Sequence, residues 1–180
     1  MVPEANLEQT EYGLVPKGPG WYVLNAREAS WRAADGRGAY SNLEGDPEFE
    51  QLGIHLVTLA PGDAMAMYHW ENDEENFLVL AGEALLVIEG EERPLRAWDF
   101  VHCPPGASHV IVGAGDSRCL VLAVGARDKS VGENWGAYPV DETAARHGAS
   151  VDEETTKQEE AYAKVAHRQA ARTGEDWLPS

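Results

Sequence analysis

The sequence is poor in features that mark several classes of protein. It has only two cysteines, Cys103 and Cys119, in 180 residues, which argues against a disulfide-stabilised scaffold and predicts two buried, reduced thiols. No stretch approaches the roughly 18 consecutive apolar residues of a membrane span, so no membrane partner is expected. Internal repeats and low-complexity tracts are also absent. The length therefore predicts one main globular domain with a small appendage.

Basic residues are scarce as well. Lys and Arg together number 14 against 31 Asp and Glu, and the formal net charge is −17 at pH 7. The few basic residues are scattered, whereas nucleic acids and anionic membranes are bound by basic patches. A nucleic-acid partner is therefore not expected. The first residues show no basic start followed by an apolar core, so no secretory signal is expected and the predicted localisation is cytoplasmic.

Short apolar runs, separated by turn signals, dominate the middle of the chain. Runs of four to eight residues rich in Val, Leu and Ile, bounded by Gly and Pro, are typical of strands. Many such strands at near-regular spacing predict an all-β sandwich or barrel. The runs are 54–59, 76–82, 84–90, 99–106, 109–116 and 119–125. They place the barrel domain at 21–126, after a loosely structured segment at 1–20 and before a C-terminal extension at 127–180.

The C-terminal extension changes in character. Asp141 is a candidate N-cap and Gly148 a candidate end for a short helix. Further on, residues 155–171 have acidic residues early, basic residues late and few helix breakers. This charge order matches a helix dipole and predicts one longer helix over that range.

A cluster of chemistry-bearing residues precedes the run at 76–82. His69 and Glu71 are two residues apart, so on an extended chain they share one face. Glu75 begins the next predicted strand, and the tight turn at 104–106 could bring His109 onto a neighbouring strand. Two imidazoles and two carboxylates are a common ligand set for first-row metals. The alternative is an acidic, solvated turn before an apolar strand, which is the commoner meaning of such a charge cluster.

At this point the sequence resembles the cupin superfamily. The first motif of that family is matched by Gly62, His69-Trp70-Glu71, Glu75 and Gly82, and the second by Asp99, Pro104-Pro105-Gly106 and His109. The resemblance covers roughly residues 50–125. It implies an all-β fold, a double-stranded β-helix (cupin or jelly-roll) barrel, which is typically dimeric and often holds one divalent metal ion. A homodimer is therefore expected.

The sequence departs from the family pattern at three places. Glu71 stands where the family has its second histidine, Gly113 stands at the closing asparagine, and the interval from Gly62 to His69 is one residue longer. A shifted register would place Tyr68 and Trp70 at the His-x-His positions, which makes a poor metal site. The resemblance therefore implies His69, Glu75 and His109 as ligands, with Glu71 either a fourth ligand or a solvated acid.

Other residues near the motifs have weaker assignments. Met67 and Phe77 share the proposed inward face and are expected to form an apolar pocket wall. His102 could face the cavity as a catalytic acid–base group or lie near a barrel end as a hydrogen-bonded histidine. His55 is ambiguous in the same way and is favoured as structural. Tyr68 and Trp70 alternate with His69 and should point away from the metal.

The function expected from these observations is that of a metal-binding cupin with a small organic molecule in its barrel. Two His and one carboxylate with open positions suit non-haem iron oxygen chemistry, so a dioxygenase-like enzyme is one expectation. A non-catalytic binding or sensor module is another. A sugar-isomerase-like cupin is a third, although Arg93, Arg96 and Arg118, the nearby basic residues, are not obviously inside the barrel. Zn, Fe, Mn and Ni remain open as the metal.

Overall fold

A computed structural model describes residues 1–127 and 134–179 of the chain. Within those ranges the chain forms fourteen strands and two short helices. The strands are β1 (Asn6–Thr10), β2 (Gly13–Lys17), β3 (Trp31–Ala33), β4 (Ala39–Ser41), β5 (Leu52–Leu59), β6 (Trp70–Glu71), β7 (Glu75–Ala81), β8 (Glu83–Ile88), β9 (Glu91–Arg96), β10 (Phe100–Cys103), β11 (His109–Ala114), β12 (Cys119–Ala126), β13 (Gly136–Ala137) and β14 (Gln169–Ala171), and the helices are α1 (Glu142–Arg146) and α2 (Gln158–Ala161).

Two antiparallel sheets make up the barrel. Seven strands form one sheet in the order β10-β7-β12-β5-β4-β3-β14, and three form the other in the order β11-β8-β9. Each of the six apolar runs singled out in the sequence overlaps one strand, β5, β7, β8, β10, β11 or β12. The all-β class and the double-stranded β-helix fold are therefore confirmed.

The main core lies between the inner faces of the two sheets. Strand side chains alternate between faces, and on β7 the alternation turns Phe77 and Val79 inward, where both are buried. Leu86 and Ile111 meet them from the three-stranded sheet. Cys103 and Cys119 are buried in this core and are not bonded to each other, as expected for reduced thiols.

Gly113 explains one departure from the family pattern. Its amide donates to the carbonyl of Asp63, and its carbonyl accepts from the amide of Gly62. A Cβ at this position would lie 2.1 Å from the backbone oxygen of Ala60, far inside van der Waals contact. The loop after β5 therefore packs directly on the backbone of β11, and only glycine fits.

The expectation of a loosely structured N-terminal segment was wrong. Residues 1–20 contain the hairpin β1–β2, paired in register from Asn6↔Lys17 to Thr10↔Gly13. The hairpin is attached to the rest of the chain through the bridges Leu14↔Ala29 and Lys17↔Asp46. Backbone pairing orders this segment although its side chains carry no strong apolar pattern.

The C-terminal extension follows the prediction in its first half only. The helix α1 begins after Asp141, whose side chain accepts a hydrogen bond from Ala144 N as an N-cap. The longer helix predicted over 155–171 is absent: α2 covers four residues, and Gln169–Ala171 form β14, which pairs with β3. Residues 155–171 lack the wide apolar face that stabilises a helix by packing. The pairing of β14 with β3 therefore outweighs the helical preference of this segment. Within the described residues, no helix is long and apolar enough to cross a membrane.

Candidate metal centre

His69 and His109 lie opposite each other at one end of the barrel. They form an isolated antiparallel bridge: His109 N donates to His69 O at 2.8 Å, and His69 N donates to His109 O at 3.2 Å. Their imidazole rings lie 5.1 Å apart between centroids. The backbone therefore fixes the relative position of two side chains that are far apart in the sequence.

Both imidazoles are oriented by backbone carbonyls. His69 Nδ1 lies 2.7 Å from the carbonyl oxygen of Met67, and His109 Nδ1 lies 2.9 Å from that of Ala107. A carbonyl can only accept, so each Nδ1 carries the proton of the bond. In the neutral ring this leaves Nε2 with a free lone pair, which is the form that binds a metal.

Glu75 completes the cluster from the first position of β7. Its Oε2 lies 3.1 Å from His109 Nε2 and 3.5 Å from His69 Nε2. The ligand atoms of the three residues all lie within 4.8 Å of one another. Oε2 of Glu75 and Nε2 of His109 are buried, yet neither has an aligned hydrogen bond from any described residue. Buried polar atoms without partners are costly, and a metal ion would satisfy both.

Glu71 lies beside this group rather than inside it. Its Oε1 is 3.4 Å from His69 Nε2, and its side chain is 31% exposed compared with 19% for Glu75. Glu71 is not among the three residues whose ligand atoms converge. The structure thus brings together His69, Glu75 and His109, and leaves Glu71 within reach of the same site from one side.

The electrostatic environment of the cluster favours positive charge on the two histidines and negative charge on Glu75. Burial opposes protonation of His69, but Glu71 and Glu75 outweigh it and raise the pKa of His69 to about 10. Burial also opposes protonation of His109, while Cys103 and Glu75 raise the pKa of His109 to about 9. Burial would raise the pKa of Glu75, but His109 and His69 lower it to about 2. The carboxylate is therefore ionised at neutral pH and positive charge beside it is stabilised, as a cation site requires.

The donor set fits a first-row divalent metal. Imidazole nitrogen and carboxylate oxygen both suit Zn and Fe, and three protein ligands leave coordination positions open for water or substrate. Aromatic side chains from the C-terminal extension flank the site, with the Tyr138 and Trp135 rings 5.8 and 6.5 Å from the His69 ring. The residues present thus fit a metal ion on geometry, burial and charge.

A cavity of about 560 Å³ adjoins the cluster, and His69, Glu75 and His109 contribute to its wall. Phe77 lines it, as the sequence predicts, with its ring 5.5 Å from that of His109. Met67 does not. It lies in the irregular segment after β5 rather than on a barrel strand, and it packs outward against Tyr138 and Tyr162. The apolar wall beside Phe77 is formed by Met65 and Ala123 instead.

His102 lies outside the cavity. On β10 the side chains of Val101 and Cys103 turn into the core, so His102 between them must point to the opposite face. There it is exposed, and its Nδ1 lies 2.9 Å from Asn76 Oδ1. Its expected place facing the cavity was wrong for this reason, and the structure shows the hydrogen-bonded alternative. Tyr68 is buried among the residues packed under α1, away from the metal ligands, as predicted.

The sequence did not identify the polar end of the cavity. His55 lines it, with Nδ1 3.1 Å from the carbonyl of Ser41. Glu44 is almost fully buried there and accepts hydrogen bonds from Nη1 and Nη2 of Arg127, at 2.6 and 3.2 Å. Arg32 and Arg168 line the same space. The five residues lie in β3, after β4, in β5, after β12 and just before β14, so no local motif marked them.

Comparison with known proteins agrees with this architecture. The family model described as "Cupin domain" matches residues 55–125. Mannose-1-phosphate guanylyltransferase ManC of Salmonella typhimurium is 24% identical over 71% of this chain, but that match spans only 22% of the enzyme's length. The oxalate-binding protein of Thermotoga maritima is 24% identical over 60% of this chain and 95% of its own.

A solved structure shows the same fold. The sugar phosphate isomerase of the cupin superfamily from Silicibacter pomeroyi superposes with a TM-score of 0.53 and 25% identity, over 59% of this chain and 76% of that one. Residues 55–125, which match the family model, contain β7, β8, β10 and β11, most of β5 and β12, and all three converging ligands. Residues 55–125 of this chain therefore form a cupin domain.

Proposed function

We propose that this chain binds one divalent metal ion through His69, Glu75 and His109 and holds a small organic molecule against it in the adjoining cavity. The observation that carries the proposal is the convergence of three ligand atoms within 4.8 Å, with Nδ1 of each histidine held by a carbonyl. Glu71, at 3.4 Å from His69, is a fourth ligand or a hydrogen-bond acceptor for a molecule bound there.

A metal held by these three residues would supply Lewis-acid polarisation of a ligand oxygen or a centre for oxygen chemistry. The chain supplies the surroundings. Phe77, Met65 and Ala123 form an apolar wall that excludes water from part of the cavity, while His55 places an imidazole at its polar end. The volume of about 560 Å³ is in the range of small-molecule sites.

The leading candidate activity is a metal-dependent oxidoreductase of the dioxygenase type, because two His and one carboxylate leave several positions open. The second candidate is an isomerase acting on a phosphorylated sugar. Arg32, Arg127 and Arg168 at the cavity favour it, as does the similarity to a structure named as a sugar phosphate isomerase. A binding or sensor protein that does not turn its ligand over would use the same cavity.

Metal binding is tested first. Protein purified without a metal-chelating tag is analysed for transition metals and then titrated with Zn, Mn, Ni and Fe(II) against a chromophoric chelator. The proposal predicts about one equivalent per chain, and His109→Ala should weaken binding by more than about 100-fold. His102→Ala is the matched control, since that imidazole is exposed and outside the cavity. Equal losses in both variants, or no uptake by the wild type, would overturn the proposal.

Catalysis is tested on the loaded protein. Fe(II)-loaded protein is mixed with small acids, phenols and diketones while oxygen consumption is followed, and sugar phosphates are assayed in parallel for isomerisation by NMR. Oxygen uptake that is lost in His109→Ala supports the oxidoreductase, and isomerisation supports the second candidate. Binding of a panel member without turnover supports the binding protein. A homodimer stays a prediction, which analytical ultracentrifugation can test.

A further inference from the structure

Arg168 lines the cavity and has no ion-pair partner among the described residues. Among the described residues no carboxylate oxygen lies within 4.0 Å of its guanidinium, whereas Arg127 at the same cavity is bonded to Glu44. The chain has 31 acidic residues against 14 Lys and Arg, so a half-buried arginine without an acidic partner in contact is unexpected. Burial and the nearby Arg37 cation lower the pKa of Arg168 to about 10, which leaves it charged at neutral pH.

The guanidinium is nevertheless held in place. Nε donates to the carbonyl of Arg37 at 3.1 Å, and Nη2 donates to that carbonyl and, at 2.8 Å, to the carbonyl of Met65. Its carbon lies 5.4 Å from the Tyr40 ring centroid. No acceptor for Nη1 occurs in residues 1–127 or 134–179. The Nε and Nη2 side of the guanidinium is thus hydrogen-bonded to backbone carbonyls, and Nη1 keeps its N–H donors for a ligand.

The fold ties this side chain to the metal site. Arg168 directly precedes β14, whose pairing with β3 sets its position. The Met65 carbonyl that it contacts is only four residues before His69, so the Cα atoms of Met65 and His69 lie within about 14 Å of each other. Arg168 and the metal ligands border one continuous cavity. A molecule that spans this cavity would contact both.

We propose that Arg168 binds an anionic group, a carboxylate or a phosphate, of the small molecule whose other end reaches the metal site. A guanidinium matches the paired oxygens of either group. This inference rests on the proposed function and narrows its ligand to small organic anions. It also gives the C-terminal extension a role, because the residue that selects the ligand lies outside the cupin domain.

The test uses metal-free protein, so that anions cannot bind to a metal. Inorganic phosphate, acetate and neutral glycerol are titrated separately and followed by NMR. Phosphate or acetate binding should weaken at least about 10-fold in Arg168→Gln, and glycerol should not bind in either protein. The anion that binds with the higher affinity indicates whether the site prefers a phosphate or a carboxylate. Arg118→Gln is the control, because it removes the same charge at a separate pocket. Equal weakening in both variants, or unchanged binding in Arg168→Gln, would overturn the proposal.

Metal affinity separates this inference from the proposed function. Arg168→Gln should take up metal like the wild type, whereas His109→Ala should lose metal and keep most of its anion binding. If anion binding falls in His109→Ala and not in Arg168→Gln, the anion binds at the histidines and the inference is wrong. Absence of metal uptake by the wild type would contradict the proposed function. The anion titrations would still test the role of Arg168, because they use metal-free protein.

A measurement on the wild type does not depend on how the variants fold. Phenylglyoxal modifies accessible arginines, and mass spectrometry reports each site. Saturating phosphate or acetate should slow modification of Arg168 several-fold and leave Arg118 unchanged. No protection of Arg168 would overturn the proposal even if Arg168→Gln proved too unstable to purify.

Discussion

His69 and His109 exchange both of their backbone hydrogen bonds across a single antiparallel bridge, and their rings lie 5.1 Å apart. The two motifs that carry them are far apart in the sequence, and this bridge is where they meet. Because the backbone sets the spacing, the ligand pair does not depend on the packing of long, flexible side chains. The site is therefore organised before a metal binds, which lowers the conformational cost of binding.

Glu75→Gln should weaken metal binding more than Glu71→Gln. Glu75 contacts both histidines and is the more buried of the two carboxylates, whereas Glu71 contacts only His69. We expect a loss above about 100-fold for Glu75→Gln and about 10-fold or less for Glu71→Gln, measured by chelator competition. Similar losses in the two variants would instead identify Glu71 as a full ligand.

Arg127→Gln should destabilise the fold. Glu44 is 2% exposed, and its carboxylate accepts from Arg127 and from the amides of Phe49 and Ile54. Removing one partner of a buried pair typically costs about 3 kcal/mol, and the partial exposure of Arg127 makes about 2 kcal/mol our expectation here. Urea denaturation measures the change. Arg93→Gln is the control, since its pair with Glu91 is exposed and should matter little.

The same carboxylate makes stability depend on acid pH. Burial alone would raise the pKa of Glu44, but hydrogen bonds from Ile54, Arg127 and Phe49 outweigh it and lower the pKa. A lowered folded-state pKa contributes stability that is fully present above the unfolded value of about 4.5 and is lost as pH falls through the folded value. Urea denaturation between pH 7 and pH 3 should show this loss in the wild type and a smaller loss in Glu44→Gln/Arg127→Gln. Parallel pH profiles would contradict the assignment.

Tyr162→Phe should weaken metal binding from outside the cavity. The Tyr162 hydroxyl accepts a hydrogen bond from the buried amide of Met67 at 3.1 Å, and the carbonyl of Met67 orients His69. The variant leaves that amide without its partner, which costs about 1–3 kcal/mol, and we expect metal affinity to fall up to about 10-fold. Thermal unfolding and chelator competition measure the two effects. Tyr12→Phe, at an exposed position, should change neither, and unchanged metal binding in Tyr162→Phe would show that Met67 does not depend on this contact.

Much of the barrel could be predicted because its signals are local. Alternation of apolar residues and the Gly and Pro residues between them act over a few positions, and they located β5, β7 and β11 correctly. The same alternation, applied to β10, would have placed His102 on the outer face opposite Val101 and Cys103. His102 is near the second motif, but closeness in sequence does not decide which face a side chain occupies.

By itself, the sequence determined the strands of the barrel and the set of residues from which a metal site could be built. These follow from strand periodicity and from the motif spacing around His69, Glu75 and His109. Tertiary structure alone decided that residues 169–171 form a strand rather than the end of a helix, and that Arg127 and Arg168 border the cavity. Both outcomes depend on pairing and packing between segments far apart in the chain, whose free energy outweighs the local preference of either segment.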